Sequence, residues 1–167
     1  MYKRYDENTK ISIVIPVYNE CNTLLEIIQR VSEVPFNKEI IIVDDCSTDG
    51  TRDLLKKLSV ENMQLIFHDK NLGKGAALQT GFSMVNGEII IIQDADLEYD
   101  PRDYSQLLQP IFDDKADVVY GSRFVGGAPH RVVFFLAYDG KQVLNLLVKH
   151  VYQFKSYGHG IMLQGFH

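Results

Sequence analysis

The stretch that most limits what this chain can fold into runs from Gly87 to Pro101, G-E-I-I-I-I-Q-D-A-D-L-E-Y-D-P. Ile89 to Ile92 form a β-branched run too short for a helix. Such a run suits a strand buried on both faces, in the middle of an α/β sheet. It ends in Asp94-Ala95-Asp96. In extended backbone, residues i and i+2 point the same way, which predicts both carboxylates aimed at one point beyond the strand. Two hard oxygen donors, with water and a substrate diphosphate completing the shell, are suited to Mg²⁺ or Mn²⁺. Ala95 adds no bulk between them. Turn or cap aspartates also produce D-x-D, so its place at the mouth of the most apolar strand gives it weight.

Length and charge set the frame. A chain of 167 residues suits one domain with a real core. A net charge of −5 argues against general affinity for nucleic acid or anionic membrane. Cys21 and Cys46 have no metal or redox spacing, which points to a reduced, cytoplasmic compartment. There is no signal-peptide pattern and no apolar run of about eighteen residues, so no transmembrane segment is expected.

The remaining elements follow from periodicity. Residues 1–10 read as a flexible N-terminus, and Ile11 to Ile15 as a strand stopped by Pro16. Asn19 or Asn22 caps a helix from about Glu20 to Val34, with Leu24, Leu25, Ile27, Ile28 and Val31 on its apolar side. Glu39 to Val43 is a second strand, running into Asp44-Asp45-Cys46-Ser47. Ser47 or Thr48 caps a helix carrying Leu54, Leu55 and Leu58. Gln64 to Phe67 is a third strand, followed by Asn71-Leu72-Gly73-Lys74-Gly75 and a helix with Ala77, Leu78 and Phe82. Pro101 starts another helix, and Ala116 to Tyr120 is the next strand. This alternation predicts an open, mostly parallel central sheet covered by helices. In such sheets ligands bind beyond the C-terminal ends of the strands, where the polar motifs of this chain lie.

Two nucleotide folds are disfavoured. No G-x-G-x-x-G follows the first strand, which argues against a dinucleotide oxidoreductase. Asn71-Leu-Gly-Lys-Gly lacks the length and the Lys-Ser/Thr ending of a P-loop, which argues against an ATPase. A mononucleotide held by a carboxylate of the second strand, its diphosphate bridged through metal to the fourth, remains.

V-I-P-V-Y-N-E (14–20), I-V-D-D-C-S-T-D-G-T (42–51), N-L-G-K-G-A-A-L (71–78), Q-D-A-D-L-E-Y-D-P (93–101) and Y-G-S-R-F (120–124) resemble family 2 glycosyltransferases of the GT-A fold. The nearest branch is that of dolichol-phosphate mannose synthase and bacterial polyprenyl-phosphate glycosyltransferases. The resemblance implies a Rossmann-like nucleotide-sugar-binding domain over residues 11–135, incomplete at its C-terminal end. It implies metal-dependent, inverting transfer of a hexose from a GDP- or UDP-sugar to a polyprenyl or dolichyl phosphate. A peripheral place at the cytoplasmic face of the membrane goes with such an acceptor. By the same resemblance, Pro16, Tyr18, Glu20, Val43 and Asp45 form the pocket for base and ribose. Asp94, Ala95 and Asp96 meet the diphosphate and metal, with Glu98 as a further metal ligand. Asp96 and Arg123 are the expected catalytic residues, and Arg123 holds the acceptor phosphate with help from Arg131. A hydroxyl acceptor would instead need a base, for which Glu98 and Asp100 are candidates. Lys74 reads as a solvated loop charge unless it turns toward phosphate, and His68 and His130 are assigned no role. Two alternatives stand beside this reading: an inactive nucleotide-sugar-binding remnant, and an unrelated nucleotidyltransferase.

The end of the chain departs from the family. After H-R-V the family continues with a stretch like W-H-x-x-G-N-K-x-L-T-x-L-S-N-M-F-T-N-L-N-L-T-D-M. This chain reads A-Y-D-G-K-Q-V-L-N-L-L-V-K-H-V-Y-Q-F-K-S-Y-G-H over Ala137 to His159. One permitted DNA for the family stretch, read one base out of register, encodes that same segment. Residues 136–167 are therefore expected to be an out-of-frame, poorly packed tail, and sugar transfer by this chain to be weak or absent. Sequencing the gene is the check. The shifted frame should restore the family pattern and carry it past position 167; no continuation in any frame, or robust turnover by this chain, defeats the expectation.

Overall fold

The computed structural model describes residues 8–58, 62–116, 118–120 and 134–137. The elements are β1 (Ile11–Val17), α1 (Leu24–Glu33), β2 (Lys38–Asp44), α2 (Thr51–Lys57), β3 (Met63–Phe67), α3 (Lys74–Phe82) and β4 (Ile89–Ile92). A 3-10 turn, Pro101–Asp103, then leads into α4 (Tyr104–Phe112), followed by β5 (Val118–Tyr120) and β6 (Phe134–Ala137). The strands form one sheet in the order β3-β2-β1-β4-β6-β5. The first four pair in parallel, and β6 runs antiparallel to both β4 and β5.

Alternation along the strands divides the core into two layers. Ile11, Ile13 and Ile15 of β1, Ile40 and Ile42 of β2, and Ile89 and Ile91 of β4 pack with α1 and α4. Val14, Ile41, Val43 and Ile90 face the other way, onto Ala77, Leu78 and Phe82 of α3. The isoleucine run is thus enclosed on both faces, each side chain contributing about 2 kcal/mol by leaving water. Handedness explains the split. Right-handed crossovers put α1 on one face while the chain moves toward β3, and α3 on the other when it returns to β4. Gly81 lets α3 approach closely, since a Cβ there would lie 2.4 Å from Val14 Cγ1.

Several boundaries differ from the sequence reading. Pro16 lies inside β1, which continues to Val17. Its missing N–H points toward β4, whose last paired residue, Ile92, lies opposite Val14, so no bond to β2 is lost. The first helix starts at Leu24 rather than Glu20, and Leu25 is exposed. Gly50, at φ 102, precedes α2, and Asp49 Oδ1 accepts the Thr51 N–H at 3.0 Å, the contact assigned to Ser47 or Thr48. No strand was expected at Phe134–Ala137, because an antiparallel return strand of four residues carries no period of its own. Leu136 and Ala137 thus lie in β6, while residues 138–167, and the expectation made for them, lie outside the described residues. Of the N-terminal segment, Thr9 is buried and Lys10 is tied to the sheet, its carbonyl accepting the Glu88 N–H at 2.8 Å. Residues 1–7 lie outside the described residues.

A polar cluster closes the end of the sheet remote from the strand C-termini. Buried Glu39 accepts the Ser12 hydroxyl and the Asn86 N–H, each at 2.6 Å, and pairs with Lys10 Nζ at 2.7 Å. Ser12 Oγ in turn accepts the Gly87 N–H at 2.8 Å. Burial alone would raise the Glu39 pKa, but Lys10, Ser12 and Asn86 outweigh it and hold it at about 2, against an ordinary 4.5. A depressed carboxylate pKa stabilises the fold above the unfolded value and loses that contribution as pH falls through the folded one. Stability should therefore drop between about pH 4.5 and 2. Glu39→Gln should cost on the order of 2 kcal/mol near neutral pH and flatten this acid limb. Urea melts across that range check it, an equally steep acid loss in the variant being the contrary result.

Candidate functional site

The parallel order places a crevice where β1 and β4 part, the point at which the strand order reverses. The cleft there measures about 340 Å³. Pro16, Val17, Tyr18 and Glu20 line it from the end of β1, and Asp45 from the end of β2. Asn71, Gly73, Lys74 and Ala77 form the wall on the α3 side, and Asp94, Ala95 and Asp96 the wall beyond β4. Six of the residues singled out in the sequence for base, ribose and diphosphate thus meet in one cavity: Pro16, Tyr18, Glu20, Asp45, Asp94 and Asp96, with Ala95 between the last two.

The turn after β1 and the turn after β2 hold each other. Asn19, at φ 57, donates its N–H to Ser47 Oγ at 2.9 Å and accepts the Thr48 N–H at 2.8 Å. The Glu20 N–H meets Thr51 Oγ1 at 2.9 Å, and the Cys21 N–H meets Asp49 Oδ2 at 3.1 Å. These bonds leave Tyr18 half exposed at the cleft it lines. Glu20 keeps one carboxylate oxygen on Thr23 Oγ1 at 2.8 Å. Cys21 and Cys46 are both free thiols, and Cys46 supplies a left-handed turn at φ 64.

Asp45 is an internal organiser as well as a lining residue. It is 2% exposed; its Oδ1 accepts the Leu72 N–H at 2.9 Å, and its Oδ2 the Gly73 N–H at 2.6 Å. Burial would raise its pKa, but these amides and His68 outweigh it and hold it below the ordinary value. Neighbouring Asp44 is fully enclosed and pairs with Arg52 Nε at 2.6 Å.

The acidic loop is built differently from the extended pair expected. β4 stops at Ile92 and the backbone bends over 95–97, with Leu97 at φ 61, so the two-residue alternation does not reach Asp94 and Asp96. A buried glutamine shapes the loop instead. Gln93 Nε2 donates to the carbonyls of Asp94 at 3.0 Å and Tyr99 at 3.2 Å, while its Oε1 accepts the Tyr104 hydroxyl at 2.6 Å. Asp96 Oδ1 accepts the Glu98 N–H at 3.0 Å. Gln93 and Tyr104 were missed in the sequence because their importance lies in burial, which no local pattern signals.

Val43, Lys74, His68 and Asp100 stand differently from the sequence reading, and Glu98 lies outside the cleft. Val43 is fully enclosed in the α3-side core, not in the cleft, because the strand's alternation turns its side chain onto Val14 and Ala77. Glu98 is exposed and does not line the cleft. Lys74 opens α3 rather than lying in the loop, and its exposed side chain sets Nζ 2.5 Å from Asp94 Oδ1. His68 has partners at both ring nitrogens, Asp45 and Thr80. Asp100, the candidate base, pairs with Arg102, whose guanidinium holds its carboxyl below the usual range. It lines a separate groove of about 530 Å³ with Arg30, Phe36 and Arg102, away from the strand ends. Arg123 and Arg131 lie outside the described residues. Among those described, no group of three or more His, Cys, Asp or Glu side chains is arranged to hold a metal by itself.

An acidic loop beyond β4 and a carboxylate at the end of β2 thus face one crevice at the switch point of the sheet. The sequence profile described as "Glycosyl transferase family 2" matches residues 12–135. The chain belongs to glycosyltransferase family 2. Undecaprenyl-phosphate 4-deoxy-4-formamido-L-arabinose transferases of Salmonella choleraesuis and Salmonella newport are 33% identical over 164 residues. Those alignments cover 94% of this chain and 48% of each relative, so the chain spans about half the length of the curated relatives it matches. S. aureus TarS 1-349 superposes with a TM-score of 0.55 at 25% identity, over 65% of this chain and 34% of that one. Glucosyl-3-phosphoglycerate synthase from Mycobacterium tuberculosis, solved with Mn²⁺, UDP and glucosyl-3-phosphoglycerate, gives 0.51 at 26%, over 62% and 40%. The mannosyltransferase PcManGT from Pyrobaculum calidifontis, in complex with GDP-Man and Mn²⁺, gives 0.58 at 21%, over 84% and 47%, and shares the fold. The fold is that of the GT-A glycosyltransferases.

Tyr104→Phe tests the support beneath the acidic loop. Removing the hydroxyl takes the donor from buried Gln93 Oε1 and should cost about 1–2 kcal/mol. Thermal melting should fall by several degrees, and amide exchange should rise across residues 94–99. Unchanged exchange there would show that the loop holds its shape without Tyr104.

Proposed function

We propose that this cleft binds a GDP- or UDP-hexose and belongs to an enzyme that transfers the sugar, with inversion, to a polyprenyl or dolichyl phosphate, this chain itself transferring weakly or not at all. The observation that carries the reading is the convergence of Tyr18, Asp45, Lys74, Asp94 and Asp96 on one cavity at the strand C-termini. The curated relatives, named for an undecaprenyl-phosphate acceptor, and the glucosyl-3-phosphoglycerate synthase solved with Mn²⁺ and UDP support it.

The residues present fit a divalent cation. Asp94 and Asp96 offer hard carboxylate oxygens at the cleft wall and leave other positions to water and phosphate oxygens, the usual manner of holding Mg²⁺ or Mn²⁺. The ion, when bound, neutralises charge developing on the departing nucleoside diphosphate. Glu98, exposed on the same loop, is the further ligand proposed, and reaching the cleft requires its side chain to swing inward. Tyr18 offers its ring face to the base, and Pro16 and Ala95 give apolar walls. Lys74 Nζ carries a mobile positive charge at the diphosphate position. Asp45 addresses base or ribose through the one lone pair of Oδ2 that Leu72, His68 and Gly73 leave over.

The acceptor chemistry needs less. A phosphate is already ionised near neutral pH, so transfer requires a cation to hold it rather than a strong base. Arg123, with Arg131, supplies that role in the proposal, a planar fork matching phosphate oxygens. The pairing of Asp100 with Arg102, in a groove apart from the cleft, engages one of the two candidate bases a hydroxyl acceptor would need, Glu98 being the other. Among the described residues no helix is long and apolar enough to cross a membrane. The proposed meeting with a lipid phosphate is peripheral, at the cytoplasmic face.

Asp96→Asn tests the metal assignment. One neutralised ligand should reduce Mn²⁺-dependent binding of UDP- and GDP-sugars by at least about tenfold, while the isoleucine core keeps melting unchanged. Titration calorimetry with and without Mn²⁺ reads it. Equal Mn²⁺-dependent affinity in parent and variant removes Asp96 from the metal site.

A further inference from the structure

His68 directly follows β3, and its side chain is only 9% exposed. Nδ1 lies 2.7 Å from Asp45 Oδ1, and Nε2 lies 2.9 Å from Thr80 Oγ1 on α3. An ionised carboxylate only accepts, so the Nδ1 proton points to Asp45, and a neutral ring takes the Thr80 hydroxyl proton at Nε2. The same carboxylate accepts from the Leu72 and Gly73 amides. Gly73, at φ 86, is the cap residue of α3, and Lys74 is the first residue of the helix and reaches Asp94. One path of polar contacts therefore joins Thr80, His68, Asp45, Gly73, Lys74 and Asp94. It ties the ends of β3, β2 and β4 together around the cleft.

We propose that His68 is a positioning residue of the cleft. By donating from Nδ1 to Asp45 it orients the carboxylate that shapes the Leu72–Gly73 backbone, and through that backbone it sets where Lys74 stands. The consequence for ligand binding rests on the reading of the cleft as a nucleoside-diphosphate site; the consequence for the loop does not. Orientation is the point of the contact. Asp45 Oδ1 already serves the Leu72 amide, and a second donor at Oδ1 fixes the plane of the carboxylate so that Oδ2 meets Gly73. Without that donor the carboxylate rotates, the turn before α3 loosens, and the Lys74–Asp94 pair loses its register.

Two substitutions separate orientation from space-filling. An asparagine at 68 puts its amide nitrogen near the Nδ1 position and keeps the donor to Asp45. A glutamine puts its amide near Nε2, keeps the link to Thr80, and is closer to histidine in volume. The full chain is compared as parent, His68→Ala, His68→Asn and His68→Gln. The readouts are amide exchange at Leu72 and Gly73, with Gly87 at the far end of the sheet as an internal reference, and titration of UDP and GDP with Mn²⁺. His68→Ala and His68→Gln should lose protection at Leu72 and Gly73 and weaken nucleotide binding roughly tenfold, while His68→Asn restores both. Protection at Gly87 should be equal in all four. Glutamine restoring better than asparagine would make His68 a space-filler and overturn the proposal, as would unchanged Leu72 and Gly73 protection in His68→Ala. If neither nucleotide binds the parent, the nucleotide reading of the cleft fails, and the exchange ranking alone decides the role of His68.

Discussion

The cleft exists because one central strand outlasts its neighbour. β1 pairs with β2 as far as Val17 and Asp44, but with β4 only as far as Val14 and Ile92. The Gln93 N–H still reaches the Val14 carbonyl at 3.0 Å. The next bond on that side would need an N–H from Pro16, which has none. The ladder ends there, the chain after β4 turns away, and the gap opens at the reversal of strand order. A proline that looks like a strand terminator acts on one edge alone.

What lines the gap is then fixed by carboxylates that hold backbone. Asp45 takes the Leu72 and Gly73 amides, Asp49 takes those of Cys21 and Thr51, and Asp96 takes that of Glu98. Each satisfies N–H groups that a tight turn cannot pair within itself. The turns at the strand ends are therefore set by side chains, from within the turn for Asp96 and from another turn for Asp45 and, at Cys21, for Asp49. Ligand-facing groups such as Tyr18 and Lys74 inherit their positions from them. Gln93 does the same for the acidic loop with neutral groups, anchored through Tyr104 to α4.

The two ends of the sheet divide labour. At the far end Glu39, Lys10, Ser12 and Asn86 are mutually satisfied, and Gly87 is packed so tightly that a Cβ would lie 2.7 Å from the Lys10 carbonyl oxygen. At the cleft end Asp44 and Asp45 are buried too, but Lys74, 58% exposed, holds Asp94 by a contact that water screens. Exchangeable partners suit a site that takes up a charged ligand, whereas the closed cluster suits an anchor.

The amino-acid sequence by itself determined the α/β class, the mostly parallel sheet covered by helices and the gathering of polar motifs at the strand ends. β-branched runs of strand length, helical periodicity between them and polar clusters at strand ends are local signals, and Ile89–Ile92 with Asp94-Ala95-Asp96 is the strongest of them. The motifs also carried the family. Only the tertiary structure decided which side of each residue does the work. Val43 turns inward because of strand alternation, and Asp100 is taken by Arg102. His68 becomes a junction because β3 ends beside β2, and Lys74 meets Asp94 because α3 begins beside β4. The return strand β6 has the same origin, since its pairing with β4 joins residues more than forty positions apart. Contacts at such separation depend on how the crossovers place the strands, and no spacing along the chain records that.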